Sequence, residues 1–137
     1  MMDGGWEVAM AHVIDEFLER LGRGEIPTAE FLPPAVRGTV RLDVESDKRT
    51  DQWFVTMQKG KARVARAGKE PEAVMRGSRP AFDRLASGEE TFVSLLFRND
   101  IIVEGNIQLV DRFSRLFPSP RSAHHPREFA RKERRKT

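Results

Sequence analysis

From residue 7 the apolar positions return with the period of a helix. Met10, Val13, Ile14, Phe17, Leu18 and Leu21 share one stripe, and Glu7, Asp15, Glu16, Glu19 and Arg20 lie largely off it. Gly22 is a fitting stop, so the pattern predicts a helix over 7–21. Residues 26–34 read as a connector with room for one helical turn at 29–32, because Pro33-Pro34 cannot sit inside a helix. From Gly38 the period becomes two. Val40, Leu42 and Val44 alternate with Arg41, Asp43 and Glu45, a strand with one wet face. After a polar turn at 46–51, Trp53, Val55 and Met57 alternate with Phe54, Thr56 and Gln58. Residues 61–66 predict a short basic strand and 72–77 a fourth, with Ala73 and Met75 on one face. Strands this close, joined by turn residues, predict a β-meander.

The period then lengthens again. Ser78 fits an N-cap, Pro80 the first turn, Phe82 and Leu85 an inner face, and Gly88 a stop. Phe92, Val93, Leu95, Leu96 and Phe97 follow as an apolar run, closed by a turn signal at Asn99-Asp100. Ile101-Ile102-Val103 is apolar on both faces, which predicts an internal strand. Asn106 caps a last helix whose stripe is Ile107, Leu109, Val110, Phe113, Leu116 and Phe117, ended by Pro118. The order predicts an α+β fold over residues 1–118, with a mostly antiparallel five-stranded sheet and helices packed on one face.

Charge adds a second region. The 137 residues carry a net charge of +3, but residues 118–137 hold seven Lys/Arg and two Glu, and residues 1–117 are mildly acidic. The body is therefore not a nucleic-acid binder by charge. Residues 119–137 read as a basic, flexible tail. Its alternative role is an electrostatic foot on anionic lipid, through Arg131, Lys132, Arg134, Arg135 and Lys136, each worth on the order of 1 kcal/mol near such a surface. The absence of Cys excludes disulfides and thiol chemistry. With no long apolar run and no basic-then-apolar leader, the expectation is a soluble, cytoplasmic protein.

Candidate chemistry is sparse. Gly22-Arg23-Gly24 opens like a dinucleotide fingerprint, but Pro27 takes the third glycine position. Gly60-Lys61 and Gly68-Lys69 lack the rest of a phosphate loop. His124-His125 has no neighbouring carboxylate or thiol to complete a metal site, and His12 beside Asp15 and Glu16 reads as a surface histidine. Catalysis needs a nucleophile, a base or a cofactor cradle. The expectation is a protein that is not an enzyme and holds no cofactor or metal.

Apolar residues crowd the second half: five of the nine Phe fall between positions 82 and 117. They serve an ordinary core or the lining of a cavity, and composition does not separate the two. The order of motifs does. A strand begins near Trp53 and ends in a Gly-containing turn; a short strand, Ala73-Val74-Met75-Arg76-Gly77, runs into Ser78 with Phe82 four residues on; a helix ends in Ser87-Gly88; and Ile101-Ile102-Val103-Glu104-Gly105-Asn106 opens the last helix. This succession resembles the sterol carrier protein type-2 family. It departs from the family at Asn106, where Asp is common, and at Arg98-Asn99, where a Gly-Lys turn is common. The terminal Arg135-Lys136-Thr137 is no peroxisomal address.

The resemblance implies an apolar cavity between sheet and helices that carries sterols, fatty acyl chains, isoprenoids or similar ligands. Its lining would draw on the sheet's inner row, Val40, Leu42, Trp53, Val55, Met57 and Met75. The helical lid would add Phe82, Leu85, Phe92, Leu95 and Leu96. Ile101 and Val103 would form the floor, and Leu109, Phe113, Leu116 and Phe117 the closing helix at the entrance. Phe97 and Phe117 are candidates to fill it. The alternative is an accessory protein that shelters an apolar biosynthetic intermediate for a partner enzyme. If the tail is a lipid foot, deleting residues 119–137 weakens vesicle binding and leaves ligand affinity in solution unchanged; unchanged vesicle binding rejects that role.

Overall fold

The computed structural model describes residues 13–119. Helix α1 (Val13–Gly22) buries Ile14, Phe17, Leu18 and Leu21, the predicted stripe; positions 7–12 lie outside the described residues. In the connector, the Thr28 carbonyl accepts from the Phe31 and Leu32 N–H groups at 3.0 and 2.8 Å, and this turn drops Leu32 into the core.

Five strands form one sheet: β1 (Gly38–Glu45), β2 (Thr50–Gln58), β3 (Lys61–Ala65), β4 (Ala73–Ser78) and β5 (Ile101–Gly105). Their spatial order is β3-β2-β1-β4-β5. The predicted four-strand meander is corrected here. Strands β1, β2 and β3 do form one, but β4 crosses back and pairs parallel with β1, placing Leu42 opposite Met75. Parallel neighbours cannot share a tight turn, so the link is made of β2, β3 and residues 66–72. Strand β5 then pairs antiparallel with β4. It is an edge strand and not internal: inward Ile101 is fully buried, while Ile102, opposite Arg76 on the outer face, is 44% exposed.

The strand periodicity holds on the inner face and fails twice on the outer one. Asp43 is buried because Arg41, two residues back on the same face, grips its carboxylate at 2.8 and 3.0 Å. That carboxylate holds the Arg41 guanidinium above its ordinary pKa. Phe54 is buried under Gly68, where an added Cβ would stand 3.0 Å from its ring.

Helices α2 (Arg79–Ser87), α3 (Phe92–Phe97) and α4 (Ile107–Ser114) complete the fold. Ser78, Thr91 and Asn106 cap them, each side-chain oxygen accepting an N–H three residues on at 3.1–3.2 Å. Gly88, at φ +86, closes α2. The last helix ends at Ser114, earlier than its stripe predicts. Residues 115–117 continue in tighter bonds, from Arg115, Leu116 and Phe117 N–H to the carbonyls three residues back. Leu116 and Phe117 remain buried. Helix apolar faces and the sheet's inner face make a single core.

Arg79 ties the layers together at the start of α2. It donates to Asp51 of β2 at 2.8 Å and to Asp15 of α1 at 3.3 Å, with its side chain 13% exposed. Asp83 of α2 accepts the Ile14 N–H at 2.9 Å. Gly105 fixes the other end: at φ +90, an added Cβ would sit 2.5 Å from the Glu72 carbonyl. Gly105→Ala is expected to lower stability by ~2 kcal/mol or more, read as a urea midpoint. Gly24→Ala, at φ +76 with open space around it, separates strain from clash and should cost only about 1 kcal/mol.

Candidate functional site

The structure brings all seventeen predicted lining residues into one apolar layer between sheet and helices. Val40, Leu42, Trp53, Val55, Met57 and Met75 form rows on the inner face, set by the registers Val40–Val55, Leu42–Trp53 and Leu42–Met75. Phe82 and Leu85 of α2, Phe92 and Leu95 of α3, Ile101 of β5, and Leu109 and Phe113 of α4 meet them, all buried. Leu96 and Val103 pack at its margin, partly buried. Leu116 and Phe117 close it from the segment after α4. Phe97 does not fill this layer: at 80% exposure it points away, because Phe92 and Leu95 occupy the inward side of α3.

Two depressions open beside the closing segment. One, of ≈ 410 Å³, is walled by Leu85 and Phe92 on one side and by Asp111, Phe117, Pro118 and Ser119 on the other. The second, of ≈ 330 Å³, lies against α1 and is walled by Phe17, Ile26, Ala86, Leu116 and Pro118. Residues 116–118 are the partition between them. Phe117 holds it closed: its ring stacks on Phe17 at 4.5 Å and 20° and meets Phe113 edge-on at 5.2 Å and 79°. Such pairs add ~0.5–1.5 kcal/mol each to ordinary burial. Sequence periodicity identified Phe17 and Phe117 as core positions; their pairing joins elements a hundred residues apart and left no local signal.

Trp53 is the polar exception in the layer. Its indole Nε1 is buried and finds no acceptor. The Arg66 guanidinium lies 4.1 Å from its ring centroid and also donates to the Gln52 carbonyl at 3.2 Å. An orphaned buried donor costs about 1–3 kcal/mol, which an oxygen brought beside it would relieve.

A third cleft, of ≈ 690 Å³, holds none of the predicted residues. It lies between the end of α1, the connector and the β2–β3 hairpin, with Leu21, Ile26, Leu32 and Ala62 in its walls and Lys59 and Lys61 beside them. Thr28 straps connector to hairpin by donating to the Gly60 carbonyl at 2.7 Å. Two left-handed residues, Lys59 and Gly60, make the hairpin turn. The connector gave no periodic signal, so this cleft was not visible in the sequence.

Charge is kept to the rim. Arg98 donates to both Asp100 and Glu90, and those hydrogen-bonded carboxylates, Asp100 foremost, raise its guanidinium above the ordinary value. His12, the His124-His125 pair and the five basic tail positions lie outside the described residues. No helix among the described residues is long and apolar enough to cross a membrane.

Comparison with known proteins bears on this arrangement. Residues 18–118 match the SCP-2 sterol transfer family. The fold is similar to the sterol carrier protein domain 2 of Helicoverpa armigera, with 21% identity, a TM-score of 0.63, and 76% of this chain and 84% of that one covered. Sterol carrier protein 2 like 2 from Aedes aegypti gives 16% identity and a TM-score of 0.59, over 79% of this chain and 97% of that one. A chain described as the UbiJ-SCP2 ubiquinone synthesis protein gives 14% and 0.53, over 80% and 93%. No curated protein matches the sequence.

Proposed function

The chain belongs to the SCP-2 sterol transfer family, and on that premise we propose that it binds and transfers apolar ligands without catalysing a reaction. The ligands are sterols, fatty acyl chains, isoprenoids or similar molecules, taken up into the layer between sheet and helices. The observation that carries this reading is the closing segment 116–118, which lies between two depressions beside a continuous apolar layer, with Phe117 in the wall of one and its stacking partner Phe17 in the wall of the other. Withdrawing Leu116 and Phe117 would join the depressions and open the layer from the side of α4. Three short-range hydrogen bonds hold that segment, so it moves more readily than a helix.

Magnitudes say which ligands drive the opening. Displacing a core Phe costs ~3–5 kcal/mol, and association costs at least ~4 kcal/mol more. Burial returns roughly 0.8 kcal/mol per methylene. A chain of ten methylenes, at ~8 kcal/mol, barely breaks even; one of sixteen, at ~13 kcal/mol, binds with a margin. The Trp53 Nε1 donor favours a ligand with an oxygen at one end. The basic residues 119–137 serve in this reading as the foot on anionic lipid, and Arg131, Lys132, Arg134, Arg135 and Lys136 as its contacts. A second reading, shelter of an apolar intermediate for a partner enzyme, takes its support from the UbiJ-SCP2 neighbour. It predicts a changed product from that enzyme with no binding to bulk membrane.

Native and denaturing mass of the freshly purified protein, with an organic extract run alongside, is expected to show an apolar mass excess lost on denaturation. Displacement of a fluorescent fatty acid should tighten about fourfold per added methylene beyond ten carbons. Phe117→Leu should speed uptake in stopped flow. No bound mass, no response of Trp53 emission to fatty acid, sterol or isoprenoid, and no displacement would together reject the carrier and leave a filled-core interaction module.

A further inference from the structure

Trp53 carries the one buried side-chain nitrogen or oxygen without a hydrogen-bond partner among the described residues. The side chain is 4% exposed, and its Nε1–H can donate but not accept. Buried polar groups are nearly always paired. Packing alone does not require this one, since an apolar ring would fill an inner-row place beside Leu42 with no donor to satisfy.

Trp53 also stands where the apolar layer meets charge. Two residues back on the same strand face, Asp51 accepts from Arg79 at 2.8 Å and pairs with Arg49 at 3.2 Å. Two guanidiniums thus hold this carboxylate before Arg66 approaches it, at 3.8 Å. The shorter contacts of Arg66 are to the Gln52 carbonyl, at 3.2 Å, and to the Trp53 ring, 4.1 Å from its centroid. Of the three cations, Arg66 has the longest ion contact, and it lies against the ring whose N–H is unmet.

A donor beside a cation selects its partner by chemistry. A carboxylate only accepts and is negative, so it answers both groups. A hydroxyl accepts from the indole but brings a proton that needs an acceptor of its own in an apolar layer. A hydrocarbon end leaves the indole unmet. The inner face of β2 leads from Trp53 through Val55 to Met57, which pairs with Gly38. An added Cβ on Gly38 would stand 2.8 Å from Leu109 of α4, so this row ends at the helix on whose side the layer would open. Four residues of strand set Trp53 roughly 13 Å inside that end. Met57 there and Met75, in the row of Leu42 and Trp53, are unbranched and adapt to a chain laid against them.

We infer that Trp53 receives the head of the ligand: a fatty acid enters carboxylate first, accepts from Nε1 beside Arg66, and lays its chain along Val55 and Met57 toward α4. The inference rests on the carrier reading and deepens it. It names fatty acids over alcohols and hydrocarbons of equal length, and it fixes which end goes in.

The full chain with Trp6→Phe leaves Trp53 as its one indole. In this chain palmitate should move the Trp53 Nε1–H resonance to lower field and slow its exchange with solvent, and hexadecane should do neither. Stearate labelled with a doxyl group at carbon 5 should quench Trp53 emission more than the same acid labelled at carbon 16. Replacing the indole by benzothiophene, which keeps the ring shape without the N–H, should weaken palmitate by about tenfold or more and leave hexadecane unchanged. Arg66→Gln should lower the preference for palmitate over hexadecanol. An Nε1–H that palmitate leaves unmoved, or equal or reversed quenching by the two labelled acids, overturns the inference while palmitate that still binds upholds the carrier. A chain that binds none of these ligands rejects the carrier, and the inference with it.

Discussion

The parallel pairing of β1 with β4 organises the molecule. Strand β1 is central, and its inward Val40, Leu42 and Val44 need partners on both edges. Strand β2 supplies one edge by a hairpin, and β4 can reach the other only after a crossover. Because β4 runs straight into the Ser78 cap, α2 must start at the sheet's end, where Arg79 meets Asp51 and Asp15. A slip of one residue in this register would turn Ala73 and Met75 outward and strand the core. Gly77 and Gly105 keep the next pairing close, since a Cβ at either would collide with a neighbouring carbonyl.

Electrostatics positions parts that burial stabilises. Most ion pairs here are exposed and contribute ~0–1 kcal/mol. Arg79 and Arg98 matter through geometry: one joins two helices to the sheet, the other clips α3 at both ends. The apolar layer between them is continuous and closed by aromatic contacts at one margin. A closure built from side-chain packing on a short irregular segment is easier to reverse than a helix or a strand ladder. That is a useful property where apolar molecules must both arrive and leave.

Periodicity made the elements legible because each pattern is local. The α1 stripe, the alternation in β1 and β2, and the caps at Ser78 and Asn106 all depend on neighbours within four residues. The same rule explains the errors. Ile101-Ile102-Val103 looks internal to any window of three, yet β5 is an edge, and strand order is not written in a strand. Asp43 reads as wet until Arg41 is seen to hold it, and Phe97 reads as core until Phe92 and Leu95 are seen to have filled the inner side of α3.

The sequence by itself determined which residues are apolar, with what period, and where chains of helix and strand must start and stop; these are short-range consequences of backbone geometry and side-chain solubility. It also carried the order of motifs that the family shares. Only the tertiary structure decided which side of β1 receives β4, that Phe17 and Phe117 meet across a hundred residues, that Trp53 keeps an unsatisfied donor, and that α3 turns Phe97 outward. Those outcomes come from competition for a finite inner surface. Once the core volume is filled at close packing, the remaining apolar side chains have nowhere to go but out.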